Sequence, residues 1–210
     1  AEGRADIVSM ARPMLADPEF VNKARENRVD EINTCIACNQ ACLDHAFTGR
    51  LTTCLVNPRA CYETELNFLP VNEPKNIAVV GAGPAGLAFS VNAAARGHHV
   101  TLFDSANEIG GQFNIAKRIP GKEEFNETLR YYKRQLELTG VKLQLGHRVN
   151  VEELLQQSFD EIVLATGVTP RRPAIPGIEH PKVIGYLDAI LGRQSVGKNV
   201  AIIGAGGIGF

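Results

Sequence analysis

From residue 75 onward the apolar and polar positions fall into alternating blocks of two periods. The run NIAVV at 76–80 is almost wholly apolar, as in a strand covered on both faces of a parallel sheet. PAGLAFSVNAAAR at 84–96 has helical composition with Gly97 as its stop, and HHVTLFD at 98–104 is a second strand. Together they predict a βαβ unit. A longer helix follows over 123–140, with Phe125, Leu129, Tyr132 and Leu136 on one face and Gly140 ending it. Val141, Leu143 and Leu145 then alternate as a strand, VEELLQQ at 151–157 is a short helix, and DEIVLATG at 160–167 is another buried strand. The stretch from Pro170 to Pro181 is a surface connection.

The first 74 residues have little of this order. ADIVSMAR at 5–12 is an apolar run suited to a buried strand. Asp17 then caps a helix with Pro18 at its first position, which runs to about Arg28 and buries Phe20, Val21 and Ala24. One strand and one helix cannot close a core. Residues 35 to 74 carry all five cysteines and little periodicity, so something other than an apolar core has to organise them.

Composition narrows the partners. The chain has 210 residues, and 22 Lys and Arg against 23 Asp and Glu give a net charge of −1. With no basic block, a nucleic-acid partner is not expected. The most apolar stretch, Ile77 to Val91, is broken by Gly81, Gly83, Pro84 and Gly86, so no membrane span is expected. Five cysteines without a secretory signal place the chain in a reducing cytoplasm. The first residue is alanine, and the last seven, GAGGIGF, stop inside a motif, so the sequence reads as a piece of a longer protein.

Gly81, Gly83 and Gly86 form G-x-G-x-x-G between a strand and a helix. The first glycine permits the turn, the second admits a pyrophosphate and the third lets helix and strand pack closely. Ala85 lies in the first helical turn, whose free N–H groups favour an anion. Asp104, 23 residues after Gly81, is placed to accept hydrogen bonds from a ribose. The fingerprint recurs: KNIAVVGAGPAG at 75–86 and KNVAIIGAGGIG at 198–209 agree at seven of twelve positions, 123 residues apart. Gly204, Gly206 and Gly209 therefore open a second dinucleotide site. GGQ at 110–112 and ATG at 165–167 resemble the two-dinucleotide flavoprotein reductases, in which FAD comes first and NAD(P) second. That resemblance sets the isoalloxazine side near Gly111 and Gln112, adds a positive charge from Lys122 and puts the adenine by the backbone of Val149.

Cys35, Cys38, Cys42 and Cys54 give the spacing C-x2-C-x3-C-x11-C, which indicates a metal site. Structural zinc also takes four thiolates, though usually as two separated C-x2-C pairs. Three bunched thiolates and a remote fourth suit a 4Fe-4S cube, and the redox motifs beside them point the same way. Cys61, outside the pattern, reads as a lone buried thiol.

The strings CIACNQACLDHAFTGRLTTCLVNPRACYE and KNIAVVGAGPAGLAFSVNAAARGHHVTLFDSANEIGGQFNIAKRIPGKEEF resemble the NADPH-dependent 2,4-dienoyl-CoA reductases of the iron-sulfur flavoprotein type, in the old yellow enzyme and trimethylamine dehydrogenase group. The likeness extends over essentially the whole chain. It implies an α/β protein in four parts: 1–34, the last strand and helix of an FMN-binding TIM barrel; 35–74, the 4Fe-4S segment; 75–195, a Rossmann-like FAD-binding domain; and 196–210, the start of an NADP-binding domain. Ala11, Arg12 and Pro13 would then meet the FMN phosphate at the end of the last barrel strand, where arginine's planar fork suits a bidentate contact.

The resemblance implies hydride transfer from NADPH to FAD, then single electrons through the cluster to FMN, and reduction of a 2,4-dienoyl-CoA in the oxidation of unsaturated fatty acyl chains. The proton donor and the CoA site would lie outside these residues, so no general acid is assigned and the chain alone is expected to be inactive. Three other readings stay open: a related iron-sulfur flavoprotein (enoate reductase, NAD(P)H oxidase or amine dehydrogenase), an electron-transfer module like the small subunit of glutamate synthase, and a zinc-stabilised binding module with no redox role.

Overall fold

The structure is a computed structural model and describes residues 3–204 and 206. Its centre is a four-stranded sheet in the order β3-β2-β1-β4, every neighbouring pair parallel: β1 (Asn76–Val80), β2 (His99–Phe103), β3 (Lys142–Gln144) and β4 (Glu161–Leu164). Before the sheet lie α1 (Arg12–Ala16), α2 (Phe20–Arg25), a 3-10 turn at Val29–Glu31 and α3 (Leu43–Phe47). Between and after the strands come α4 (Pro84–Ala95), α5 (Phe113–Ala116), α6 (Phe125–Thr139), α7 (Val151–Gln156) and α8 (Tyr186–Ile190). Strands 1 to 3 step outward in one direction and the chain then returns to place β4 on the other side of β1. This is one half of a doubly wound, Rossmann-like nucleotide-binding fold, whose ligand crevice opens at the β1/β4 switch point.

Strand alternation explains how the sheet is covered. Ile77, Val79, Val100 and Leu102 face α4 and α6, where Leu87, Val91 and Leu136 complete the larger core. Ala78 and Phe103 face the opposite way and pack with Leu154 of α7. Gly140 ends α6 with φ +71°, the left-handed conformation that glycine adopts at least cost. β4 is only partly covered, and Leu164 is exposed.

Several expectations change. Residues 5–12 form no strand: Ile7 and Val8 are 89% and 68% exposed, and α1 begins at Arg12 with a proline in its first turn. An apolar run becomes a strand only when a neighbour pairs with its backbone, and none among the described residues does. Asp17 does begin the next helical segment, its Oδ1 accepting the Glu19 N–H, but α2 starts only at Phe20. It leaves Val21 and Ala24 exposed. Residues 198–204 likewise form no strand, with Ile202 and Ile203 exposed, although Gly204 has φ +114° beside +111° at Gly81. Gly204 thus shares the backbone conformation of Gly81 without the sheet, and Gly209 lies outside the described residues. Cys61 is exposed rather than buried, in a tight turn at φ +65°. Among the described residues no helix is long and apolar enough to cross a membrane.

Candidate dinucleotide and cysteine sites

The G-x-G-x-x-G turn sits at the carboxyl end of β1 and meets the loops that follow the other strands. Gly81 has φ +111°, and a Cβ there would collide with the carbonyl oxygen of Ala165. A Cβ on Gly86 would collide with the Gly81 carbonyl. Gly83 differs: it has an ordinary φ of −76°, and a Cβ on it would meet nothing within 4 Å. The open space above Gly83 lies at the start of α4, which no side chain caps. Free N–H groups of a first helical turn facing a glycine-lined cradle fit a pyrophosphate.

Three further loops close around this turn. The Gly110 N–H donates to the Ala82 carbonyl at 2.7 Å, and Gly111 lies so close that its Cβ would stand 3.0 Å from the Gly83 Cα. Gln112 Nε2 donates to the Val168 carbonyl at 2.8 Å, joining GGQ to the segment after ATG. Asp104 is turned inward: Oδ2 accepts the Ala82 N–H at 2.6 Å and Oδ1 the Ala106 N–H at 2.8 Å. It therefore holds the glycine turn, with lone pairs left for a ribose hydroxyl. Val149 is half-buried against the Ala78, Phe103 and Leu154 cluster, and Ala85 is exposed in the first turn of α4. Lys122 is exposed, its ammonium 5.8 Å above the Phe125 ring.

Cys35, Cys38, Cys42 and Cys54 line one pocket, together with Leu15 and Arg12. Ala37 and Asn39, on either side of Cys38, have φ of +53° and +60°, so the loop is bent by left-handed residues that are not glycine. Burial pushes the Cys54 thiol up, with the nearby Cys35 and Cys38 acting in the same sense and the backbone N–H groups of Val56 and Asn57 beside it acting against; the Asn57 N–H donates to the Cys54 carbonyl at 3.2 Å. Among the described residues no three such ligands gather about a point where one metal ion could sit. A single tetrahedral zinc would need sulfurs about 3.8 Å apart, given Zn–S bonds of about 2.3 Å. Four thiols spread around a pocket instead fit a multi-iron cluster, which has one corner for each. His45, near this loop, bonds through Nδ1 to the Leu51 carbonyl. Arg12 Nη1 donates to Asn39 Oδ1 at 3.1 Å, while Ala11 is exposed and Pro13 lies in the first turn of α1.

Two contact sets hold the cysteine segment in place, and sequence reasoning missed both. Arg130 of α6 donates to the carbonyls of Asp30 at 2.5 Å and Ile32 at 2.7 Å and to Thr34 Oγ1 at 3.3 Å, and pairs with Glu127. Asp17, 4% exposed, receives the Asn33 N–H and the Lys23 ammonium, while Asn33 Nδ2 donates to the Val56 carbonyl at 2.8 Å. Nothing in the spacing signals the distant pairs, because Asp17–Asn33, Asn33–Val56 and Arg130–Asp30 are 16, 23 and 100 residues apart. The only sequence hint is that Asn33 lies two residues before Cys35.

Residues 75–210 match the family described as pyridine nucleotide-disulphide oxidoreductase. Over 99% of its length the chain is 41% identical to a metal reductase of Desulforamulus reducens and covers 32% of that protein. It is 37% identical over its whole length to an NADH oxidase of Thermoanaerobacter brockii, covering 33% of it. A solved complex of 2-naphthoyl-CoA reductase with 2-naphthoyl-CoA matches with a TM-score of 0.90 and 38% identity, over 93% of this chain and 30% of that one. The chain thus spans about a third of the length of these relatives.

Proposed function

The chain belongs to the pyridine nucleotide-disulphide oxidoreductase family, and we propose that it is the electron-transfer portion of an iron-sulfur flavoprotein that reduces conjugated acyl-CoA thioesters with a nicotinamide. The observation that carries this reading is the single pocket shared by four cysteines, on a segment that Arg130 clamps to the dinucleotide fold. The likeness to the metal reductase, the NADH oxidase and 2-naphthoyl-CoA reductase extends through both parts, which supports a common redox role.

On this reading Gly81, Gly83, Ala85 and Gly86 receive the FAD pyrophosphate, Asp104 the ribose, and Gly111 and Gln112 border the ring system, with Lys122 and Val149 toward its other parts. Gly204, Gly206 and Gly209 begin the NADPH site. Cys35, Cys38, Cys42 and Cys54 hold a 4Fe-4S cluster, and Ala11, Arg12 and Pro13 meet the phosphate of an FMN carried by a preceding barrel. When bound, these groups supply hydride acceptance from the nicotinamide, conversion of a two-electron donor into single electrons, and delivery to the substrate. The protein orients them: Asp104 fixes the glycine turn, Arg130 fixes the distance from that turn to the thiols, and Arg12 joins the FMN side to the loop around Cys38.

Among conjugated thioesters we assign a 2,4-dienoyl-CoA, the substrate implied by the cysteine strings. The test is stopped-flow mixing of the full-length, anaerobically purified protein with NADPH, then with 2,4-dienoyl-CoA, 2-naphthoyl-CoA, cinnamate, ferric citrate or dioxygen. Reoxidation of the flavins by the dienoyl-CoA supports the assignment. Reoxidation by 2-naphthoyl-CoA alone moves it to an aromatic thioester. Flavins that are reduced but answer only to oxygen or ferric ion overturn it in favour of an oxidase or a metal reductase.

A further inference from the structure

Cys54 stands apart from the other three cysteines in sequence, and a chain of buried groups fixes the peptides around it. The Asn33 side chain, in a residue only 7% exposed, donates from Nδ2 to the Val56 carbonyl at 2.8 Å. The peptide that starts at that carbonyl ends at the Asn57 N–H, which donates to the Cys54 carbonyl at 3.2 Å and faces the Cys54 sulfur. Asn33 is itself anchored, its N–H 2.8 Å from Oδ2 of the buried Asp17, whose charge Lys23 matches at 2.7 Å. Asn57 Nδ2 donates to the Leu15 carbonyl at 2.8 Å, so the far side of the same turn is held too. A bridge between Cys54 and Asn57 closes the turn.

Resting on the four-cysteine cluster proposed above, we infer that Asn33 is a positioning residue for the cluster's remote ligand, acting through the Val56–Asn57 peptide on the sulfur of Cys54. A donor on a peptide carbonyl polarises that peptide and strengthens its N–H as a donor. N–H groups aimed at cluster sulfurs stabilise the form carrying more negative charge, the reduced one, and so raise the reduction potential. Asp17 contributes by fixing the backbone of Asn33, leaving its side chain one direction to point. The proximity of Asn33 to Cys35 in sequence has a use on this view: one buried residue sets both the start of the cysteine run and its distant end.

The test uses the full-length protein loaded with iron and sulfide, its cluster titrated with dithionite at controlled potential and followed by electron paramagnetic resonance. Asn33→Leu keeps the volume without the donor; Asn33→Ser keeps a polar site but cannot reach the Val56 carbonyl. In either variant that retains four irons, the equilibrium constant for one-electron reduction is expected to fall about twofold, because only the donor strength that Asn33 induces in the next N–H, on the order of 10–30% of a bond, acts differently on the two redox states. A fully loaded variant that titrates at the wild-type potential overturns the inference while leaving the cluster reading intact. A wild-type protein with no iron or acid-labile sulfide overturns the cluster reading instead, and the inference with it. A purely structural role for Asn33 would change iron content without moving the potential of the clusters that remain.

Discussion

The Asn33 N–H points at Oδ2 of Asp17 from 2.8 Å, and this bond between two buried residues joins the first helices to the cysteine run. Asp17 has a second bond to the Glu19 N–H and an ion pair with Lys23, so its carboxylate is fully engaged out of water. Asp17→Ala removes one partner of a buried pair and strands the others. A loss of about 3 kcal/mol in unfolding free energy is expected, read from urea denaturation of the full-length protein. A loss below 1 kcal/mol would show that the junction is held elsewhere.

Gly83 and Gly86 separate ligand from fold. Gly86→Ala drives a Cβ into the Gly81 carbonyl, and a destabilisation of about 3 kcal/mol is expected whether or not flavin is present. Gly83→Ala meets no protein atom, so the apoprotein should unfold at the same urea concentration as wild type, while most of the FAD is lost on gel filtration. Retention of FAD by the Gly83 variant would count against the pyrophosphate lying over that residue.

Cys38→Ser tests the order of electron flow. NADPH should still bleach the flavin absorbance of the dinucleotide domain, whereas substrate reduction should fail and iron content should drop. Unchanged substrate turnover would rule out the cluster as an obligatory conduit.

Arg130 caps the carbonyl ends of the 29–34 segment with a planar fork that a lysine cannot reproduce. Arg130→Ala should cost about 2 kcal/mol, from lost charge-assisted hydrogen bonds, and expose residues 29–34 to limited proteolysis. Arg130→Lys should recover less than half of that stability in the same denaturation assay.

Burial pushes the Tyr131 hydroxyl up to about 12, and that of Tyr132 in the same direction. In the unfolded chain a tyrosine ionises near 10, so between about pH 10 and 12 the native state holds protons that the unfolded state has released. Stability is therefore fully present below pH 10 and falls as pH rises through that window. Tyr131→Phe should flatten the decline, measured as unfolding free energy at pH 9, 10 and 11. An unaltered slope would mean that Tyr131 ionises as freely in the folded state as in the unfolded one.

The dinucleotide half was legible in the sequence because its determinants are local. NIAVV is a buried strand wherever it is placed in a parallel sheet, Gly81 and Gly86 are read from the turn they must make, and Gly140 from the helix it ends. Composition and spacing likewise brought four cysteines into one candidate site without any coordinates. Pairing decided the rest. ADIVSMAR and KNVAIIG have the apolar pattern of strands and remain unpaired, since a strand exists only through hydrogen bonds to a neighbour that its own sequence does not specify. The inward turn of Asp104, the grip of Arg130 on residues 29–34 and the line from Asp17 through Asn33 to the peptides around Cys54 all join residues far apart in the chain. Their geometry depends on how α2, α6 and the cysteine loops come to rest against one another, which only the tertiary structure sets.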